Sequence, residues 1–261
     1  MPKKPKKTKI SQSLMKNLYD YVIGNMCGKK FEALYMGDAN IPPTPAMNLG
    51  NWFEFVATGQ LPRDGKTPEP KRLKSGKLSI DYVRMESQVE NFHNMMKGNG
   101  FEIISTGHVF KKNDIATGIA DIIARKDGKT CVVDVKTSGL LDDRWHEMGW
   151  NLDALDQKDK LLIQAVHYKF LAEEEFGEDV DFYFAVFSTK NEHDCMLIRI
   201  NVDEDRIQQH ITDIYRASQL LEEQIENGFK STKKHRDCVK CFLKENCEYA
   251  INTPEINEVY Y

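Results

Sequence analysis

Residues 118–138, GIADIIARKDGKTCVVDVKTS, decide how the rest of the chain is read. Two apolar runs, 119–124 and 131–135, flank Asp127-Gly128, a dipeptide favoured in two-residue type I′ hairpin turns. Counting back from that turn predicts Lys126 opposite Lys129, Ala124 opposite Cys131, Ile122 opposite Val133 and Asp121 opposite Asp134. Opposed residues share a face, with Cβ atoms roughly 4.5–5.5 Å apart. Lys136 lies two residues beyond Asp134 and shares its face. Isoleucine, valine and alanine on both faces suggest strands covered on both sides. Charges buried there are costly unless paired or bound to a metal, and one lysine neutralises only part of two carboxylates. A divalent cation would resolve the conflict. The plainer alternative is an edge hairpin whose Asp121, Asp134 and Lys136 form a solvated salt bridge.

The chain has 261 residues, enough for one large domain or two small ones with a sizeable core. Hydrophobic residues make up 41% and charged residues 29%, ordinary for a globular protein. A formal net charge of −4 requires any nucleic-acid contact to rest on local basic patches rather than the global field. No apolar run is long enough for a membrane span and the N-terminus lacks a secretory core, so the expected setting is the cytoplasm without a membrane partner. Six cysteines, three of them within ten residues, suggest metal ligands rather than a disulfide framework.

Residues 1–9, MPKKPKKTK, form a basic tail that is expected to be disordered and could lie along a phosphate backbone. Ser11 is suited to cap a helix with Leu14, Leu18, Tyr21 and Val22 on one face. Three prolines mark 40–46 as a loop, and 50–58 reads as a short apolar helix carrying one acid, Glu54. Residues 59–79 are a basic excursion that could be a mobile DNA-facing loop, with a solvated insertion as the default expectation. A helix over 80–97 presents Met85, Val89, Phe92 and Met96, and a strand over 101–110 precedes the hairpin. After Gly139 comes an acidic loop whose Trp145 and Trp150 are expected to pack against the core. The helix over 158–176 puts Gln164 and Tyr168, four residues apart, on one face. Strands over 180–188 and 196–202 follow, joined by a polar turn, then a long helix from about Asp203 that ends at Asn227-Gly228.

Cys238, Cys241 and Cys247 have C-x2-C-x5-C spacing, whose tight first pair suits metal chelation. A tetrahedral zinc or a cubane iron–sulfur cluster needs a fourth ligand, and the candidates are His235 and Cys27. Cys131 and Cys195 read as small filler residues.

Taken in order, these elements resemble the PD-(D/E)xK nuclease superfamily, and within it the RecB-like branch that carries a four-cysteine iron–sulfur cluster, as in CRISPR adaptation exonucleases and AddB-type helicase–nucleases. The matching elements are Cys27, the G-x-x-x-E of residues 50–54, Asp121 ending GIAD, Asp134-Val135-Lys136, the Q-x-x-x-Y of Gln164 and Tyr168, and the terminal cysteine triplet. Glu54 stands where that branch often has histidine, with Glu86 or Glu90 as the fallback, and Asp134 stands where glutamate is commoner.

The resemblance implies an α/β fold with a mixed central sheet flanked by helices, and N- and C-terminal segments joined by a metal cluster. It implies a basic tail at 1–10 and a single nuclease domain over 11–261, with its core at about 80–202 and cluster-binding segments at about 11–30 and 229–250. Glu54, Asp121, Asp134 and the Val135 carbonyl would hold Mg²⁺ or Mn²⁺, Lys136 would act on the attacking water, and Gln164 and Tyr168 would position DNA. Cys27, Cys238, Cys241 and Cys247 would hold a [4Fe-4S] cluster, with structural Zn²⁺ as the alternative. The implied activity is metal-dependent hydrolysis of DNA, as an exonuclease on ends or single strands, with a helicase, recombination or CRISPR partner in a bacterial or phage-infected cell. The alternative is a non-catalytic nucleic-acid-binding protein with a structural zinc site.

Overall fold

The computed structural model describes residues 8–37, 39, 41–62, 65–232 and 234–254. Most of the basic tail, residues 1–7, lies outside them. The helices are α1 (Gln12–Val22), α2 (Gly28–Tyr35), α3 (Pro45–Thr58), α4 (Ile80–Gly98), α5 (Asp159–Phe176), α6 (Glu204–Asn227) and α7 (His235–Val239). The strands are β1 (Glu102–Val109), β2 (Ile119–Lys126), β3 (Lys129–Ser138), β4 (Asp181–Ser188) and β5 (Cys195–Ile200). They form a mixed sheet in the order β1-β2-β3-β4-β5. Of these neighbours, β3 and β4 run parallel and the rest antiparallel, and α5 makes the crossover that a parallel pair requires.

The hairpin forms in the predicted register. Lys126 pairs with Lys129, Ala124 with Cys131 and Ile122 with Val133. Asp127 and Gly128 have φ of 51° and 81°, the two positive values a type I′ turn demands. Ile122, Ile123, Ala124, Cys131, Val132 and Val133 are all buried, so the pair is covered on both faces.

Period-two alternation sorts the sheet residues between those faces. Ile122, Cys131, Val133, Val135, Tyr183 and Phe187 join a core with Leu49, Trp52 and Phe53 of α3 and Met85, Phe92 and Met96 of α4. Phe53 and Phe187 meet with ring centroids 4.9 Å apart. The opposite face stacks Phe182 on Tyr168 of α5 and sets Phe184 edge-on to Trp150, centroids 5.0 Å apart. Asp134 and Lys136, out of phase with Val133 and Val135, fall on this second face.

Helix α3 begins earlier than the sequence suggests. Three prolines argue for a loop up to residue 46, but Pro45 occupies the first turn, where its missing N–H costs nothing. The Thr44 hydroxyl accepts from Met47 N at 3.2 Å and caps the start. Helix α2 is not foreseen in the sequence.

The chain divides into two compact units, one comprising residues 1–42 and 212–261 and the other residues 43–211. The second holds the sheet with α3, α4 and α5. In the first, Ser11 caps α1 by accepting from Leu14 N, and Phe31 of α2 packs against Tyr21, Tyr35 and Phe229. Gly28 is obligatory there, because a Cβ would run into the Lys230 backbone. None of the described helices is long and apolar enough to cross a membrane.

Two buried histidines join α5 to the first turns of α6. His167 Nε2 lies 3.0 Å from the Thr117 carbonyl and must donate to it, which leaves Nδ1 to accept from His210 Nε2 at 2.9 Å. Burial pushes His167 down to about 4 and His210 to about 3. Both stay neutral when folded but take protons when unfolded below about pH 6.5, so stability is complete above that value and falls as pH drops through it. By about pH 5.5 the loss should be about 1.4 kcal/mol per histidine. Urea denaturation at neutral and mildly acid pH, compared with His210→Gln, measures it; the variant should lose less on acidification.

Candidate active site

The site is built where the hairpin ladder stops. Asp121 is expected from the register to lie directly opposite Asp134, but pairing of β2 with β3 runs only as far as Ile122 and Val133. Beyond it, the Asp121 carboxylate accepts a hydrogen bond from Val135 N at 2.8 Å, substituting a side-chain acceptor for the strand's own. The two strands part at this point, and the acids are held at their fork rather than stacked across it.

Asp134 is 1% exposed, and its two oxygens have separate partners. Oδ2 pairs with the Lys136 ammonium, and Oδ1 accepts from Gln164 Nε2 of α5 at 2.6 Å. Tyr168, one turn further along α5, bonds to Gln164 and packs over Gly118. A Cβ on Gly118 would lie 2.7 Å from the Tyr168 ring, so the glycine that opens the hairpin is what admits the tyrosine. Glu54 arrives from α3. Gly50, four residues earlier on the same helix face, sits where a Cβ would be only 3.2 Å from Thr137 Oγ1 of β3, and the absence of a side chain lets that face approach the strand.

Three carboxylates thus share one ammonium. Burial first, and then the negative charge of Asp121, raise Glu54 to about 7. Asp134 is also raised to about 7, chiefly by burial and further by Asp121, with Lys136 pulling the other way. For Lys136, burial works against the charged form, but Asp134 and Asp121 outweigh it and raise its pKa. Tyr168 is driven to about 12 by burial and by Asp134 and Asp121. The cluster is short of positive charge. Glu86 and Glu90, the alternatives to Glu54, are exposed on α4.

The donors that converge here are hard oxygens, suited to Mg²⁺ or Mn²⁺. Among the described residues, no three His, Cys, Asp or Glu side chains stand close enough to hold one ion. Asp134 is occupied by Lys136 and Gln164, and Asp121 by Val135 N, so taking up a cation would require Lys136 to release Asp134. At the C-terminal end of β3, a cleft of about 690 Å³ is lined by Thr137, Ser138, Tyr82, Lys71, Arg84 and Lys190, with the acids Glu69 and Asp81 among them. The basic excursion contributes Lys71 to it.

In the other unit, Cys27, Cys238, Cys241 and Cys247 line one cavity, together with Lys29, Lys30 and Lys244. His235, the other candidate for a fourth ligand, does not contribute to that lining. The Cys27 sulfur accepts from Thr232 N at 3.2 Å. Cys131 is buried in β3 of the sheet-bearing unit.

Of the two tryptophans expected to pack, Trp150 does and Trp145 does not. Trp145 is 87% exposed. Sequence patterning cannot separate them, because both belong to the same acidic, glycine-containing loop.

No protein-family model matches the sequence, and no curated protein matches it. A solved structure described as "Putative exonuclease" from Eubacterium rectale is similar in fold, with a TM-score of 0.65 at 15% identity, over 96% of this chain and 91% of that one. The chain therefore has the fold of that structure, a five-stranded mixed sheet flanked by helices. A second, SSO0001, aligns over 92% of this chain and 96% of its own at 14% identity, but its TM-score of 0.27 is too low to bear on the fold. The likeness reaches the fold and says nothing of an iron–sulfur cluster.

The charge balance can be tested directly. Lys136→Met would leave Asp134 buried without its counter-charge and should cost about 2 kcal/mol near pH 8, below the range for a fully enclosed pair because Lys136 is partly exposed. The penalty should shrink as pH falls, since protonated Asp134 no longer needs a cation. Asp134→Asn combined with Lys136→Met should recover stability. Denaturant midpoints across pH measure both effects.

Proposed function

We propose that the protein is a metal-dependent deoxyribonuclease that hydrolyses phosphodiester bonds, acting as an exonuclease on DNA ends or single strands. The observation that carries this reading is the convergence of Asp121, Asp134, Glu54 and Lys136 at the fork of β2 and β3, with more negative charge than one lysine balances. Glu54, Asp121, Asp134 and the Val135 carbonyl would hold Mg²⁺ or Mn²⁺. Such an ion, when bound, supplies Lewis acidity to the phosphate and lowers the pKa of a coordinated water.

The chain's own groups do the rest. Lys136, once released from Asp134, orients the attacking water and steadies charge on the scissile phosphate. Gln164 fixes Asp134 by donating to one of its oxygens, and with Tyr168 it borders the path of the DNA strand. The cleft beside Thr137 would receive the continuing strand, with Lys71 and Lys190 for phosphates alongside the acidic Glu69 and Asp81, the latter paired with Arg84. The likeness to the Eubacterium rectale structure supports the fold on which this reading rests.

The four thiols that line the cavity of the other unit would supply a soft donor set for a [4Fe-4S] cluster, with Zn²⁺ as the alternative. Lysines around the cavity offset thiolate charge, and the Thr232 amide donates to one sulfur. Phosphodiester hydrolysis needs no redox step, so the group's role is structural, consistent with the RecB-like branch. The cytoplasm, where DNA and reduced thiols coexist, is the matching compartment.

Labelled single- and double-stranded DNA incubated with Mg²⁺ or Mn²⁺ tests the reading. Wild type should cleave, a chelator should stop it, and Asp134→Asn or Lys136→Met should each reduce the rate at least about a hundredfold. Metal-dependent cleavage that survives both substitutions would refute the site. Binding without cleavage in wild type would favour a non-catalytic DNA-binding protein. Anaerobically purified protein should contain iron and acid-labile sulfide with visible absorbance that Cys238→Ala removes; stoichiometric zinc without absorbance would overturn the cluster.

A further inference from the structure

Residues 140–151 form a closed loop that holds one large aromatic side chain out in solvent. Trp150 N donates to the Leu140 carbonyl at 3.0 Å and shuts the base of the loop. The Asp143 carboxylate accepts from Trp145 N and His146 N, both at 2.8 Å, and these two amides hold its pKa below the usual range. Gly149 lies against the Asp143 carbonyl, where no Cβ would fit. The tip is clamped from beneath. Lys158 is buried, and its ammonium donates to the carbonyls of Arg144 at 2.7 Å and His146 at 2.6 Å. Ordering a loop around an indole that is 87% exposed runs against the hydrophobic effect and gains nothing from packing.

The loop's two ends fix where that indole stands. It leaves the chain just after Ser138, the last residue of the strand that carries Asp134 and Lys136. Lys158, its clamp, directly precedes α5, six residues before Gln164, or about 9 Å along a helix. Gln164 in turn bonds Asp134. The loop is therefore tied on both sides to the elements that build the candidate site. The Arg144 guanidinium lies 5.3 Å from the Trp145 ring centroid, which places a cation for a phosphate beside a face for a base.

We propose that Trp145 is a stacking platform for an unpaired base of the strand entering the active site, with Arg144 beside it for the backbone phosphate. The inference rests on the nuclease reading above and deepens it, because a platform of this kind selects single-stranded DNA over duplex. Bases in a duplex are already stacked and offer no free face.

The protein supplies its own probe. Of its three tryptophans, Trp52 and Trp150 are buried, so Trp145 is the one a ligand can reach. A short oligothymidylate titrated in chelator, where cleavage is silent, should quench the intrinsic fluorescence. An oligomer of the same length with abasic sugars should not. Trp145→Ala should abolish the quench and weaken oligothymidylate binding at least about fivefold, leaving duplex binding unchanged. Trp145→Phe should recover most of that affinity. With Mg²⁺ or Mn²⁺ restored, Trp145→Ala should raise KM on single strands and hold kcat. Unaltered oligothymidylate binding by Trp145→Ala, or abasic binding equal to that of the intact oligomer, overturns this inference alone. Absence of any DNA binding by wild type overturns it together with the nuclease reading.

Discussion

The structure depends on keeping a carboxylate, Asp134, inside a sheet where its neighbours are valine and phenylalanine. Such a group is tolerated only with its lone pairs engaged. Lys136 from its own strand and Gln164 from α5 engage them. Asp121 contributes differently, since its bond to Val135 N both ends the ladder and holds a second charge beside the first. The geometry of α5 relative to β3 is thus set by polar contacts as well as by the packing of Tyr168 and Phe182.

That arrangement explains the small residues around it. Gly118 admits Tyr168, and Gly50 admits α3. In each case a missing side chain lets a long polar or aromatic one reach the site from a neighbouring helix. The glycines act by what they lack, and the spacing G-x-x-x-E follows from helix periodicity rather than from any chemistry of its own.

Much of this is legible in the sequence. Asp127-Gly128 between two apolar runs marks a tight turn, and from it the register and the face of Asp134 and Lys136 follow by counting. Helix α4 and strands β4 and β5 are legible for the same reason, as strong periodic patterns. What counting does not reach is the break at Asp121, because a side chain replacing a backbone acceptor leaves no trace in a hydropathy pattern. The start of α3 is obscured because proline signals a loop and a first turn equally. Residue type makes Cys27 a candidate companion for the distant triplet, but spacing alone says nothing about their convergence. The neutral His167–His210 pair and the Lys158 clamp depend on tertiary neighbours that the local sequence does not name.

The thiol-lined cavity has a consequence for the order of events during synthesis. Its first sulfur is at residue 27 and its last at residue 247, on either side of residues 43–211, which form a compact unit of their own. Closing so long a loop adds little entropy cost beyond that of a shorter one, so distance is no obstacle. Timing is. Cys27 emerges early and must wait for its eventual companions until translation has passed Cys247. Completion of that cavity is therefore a record that the ribosome has read the message beyond the entire sheet-bearing unit.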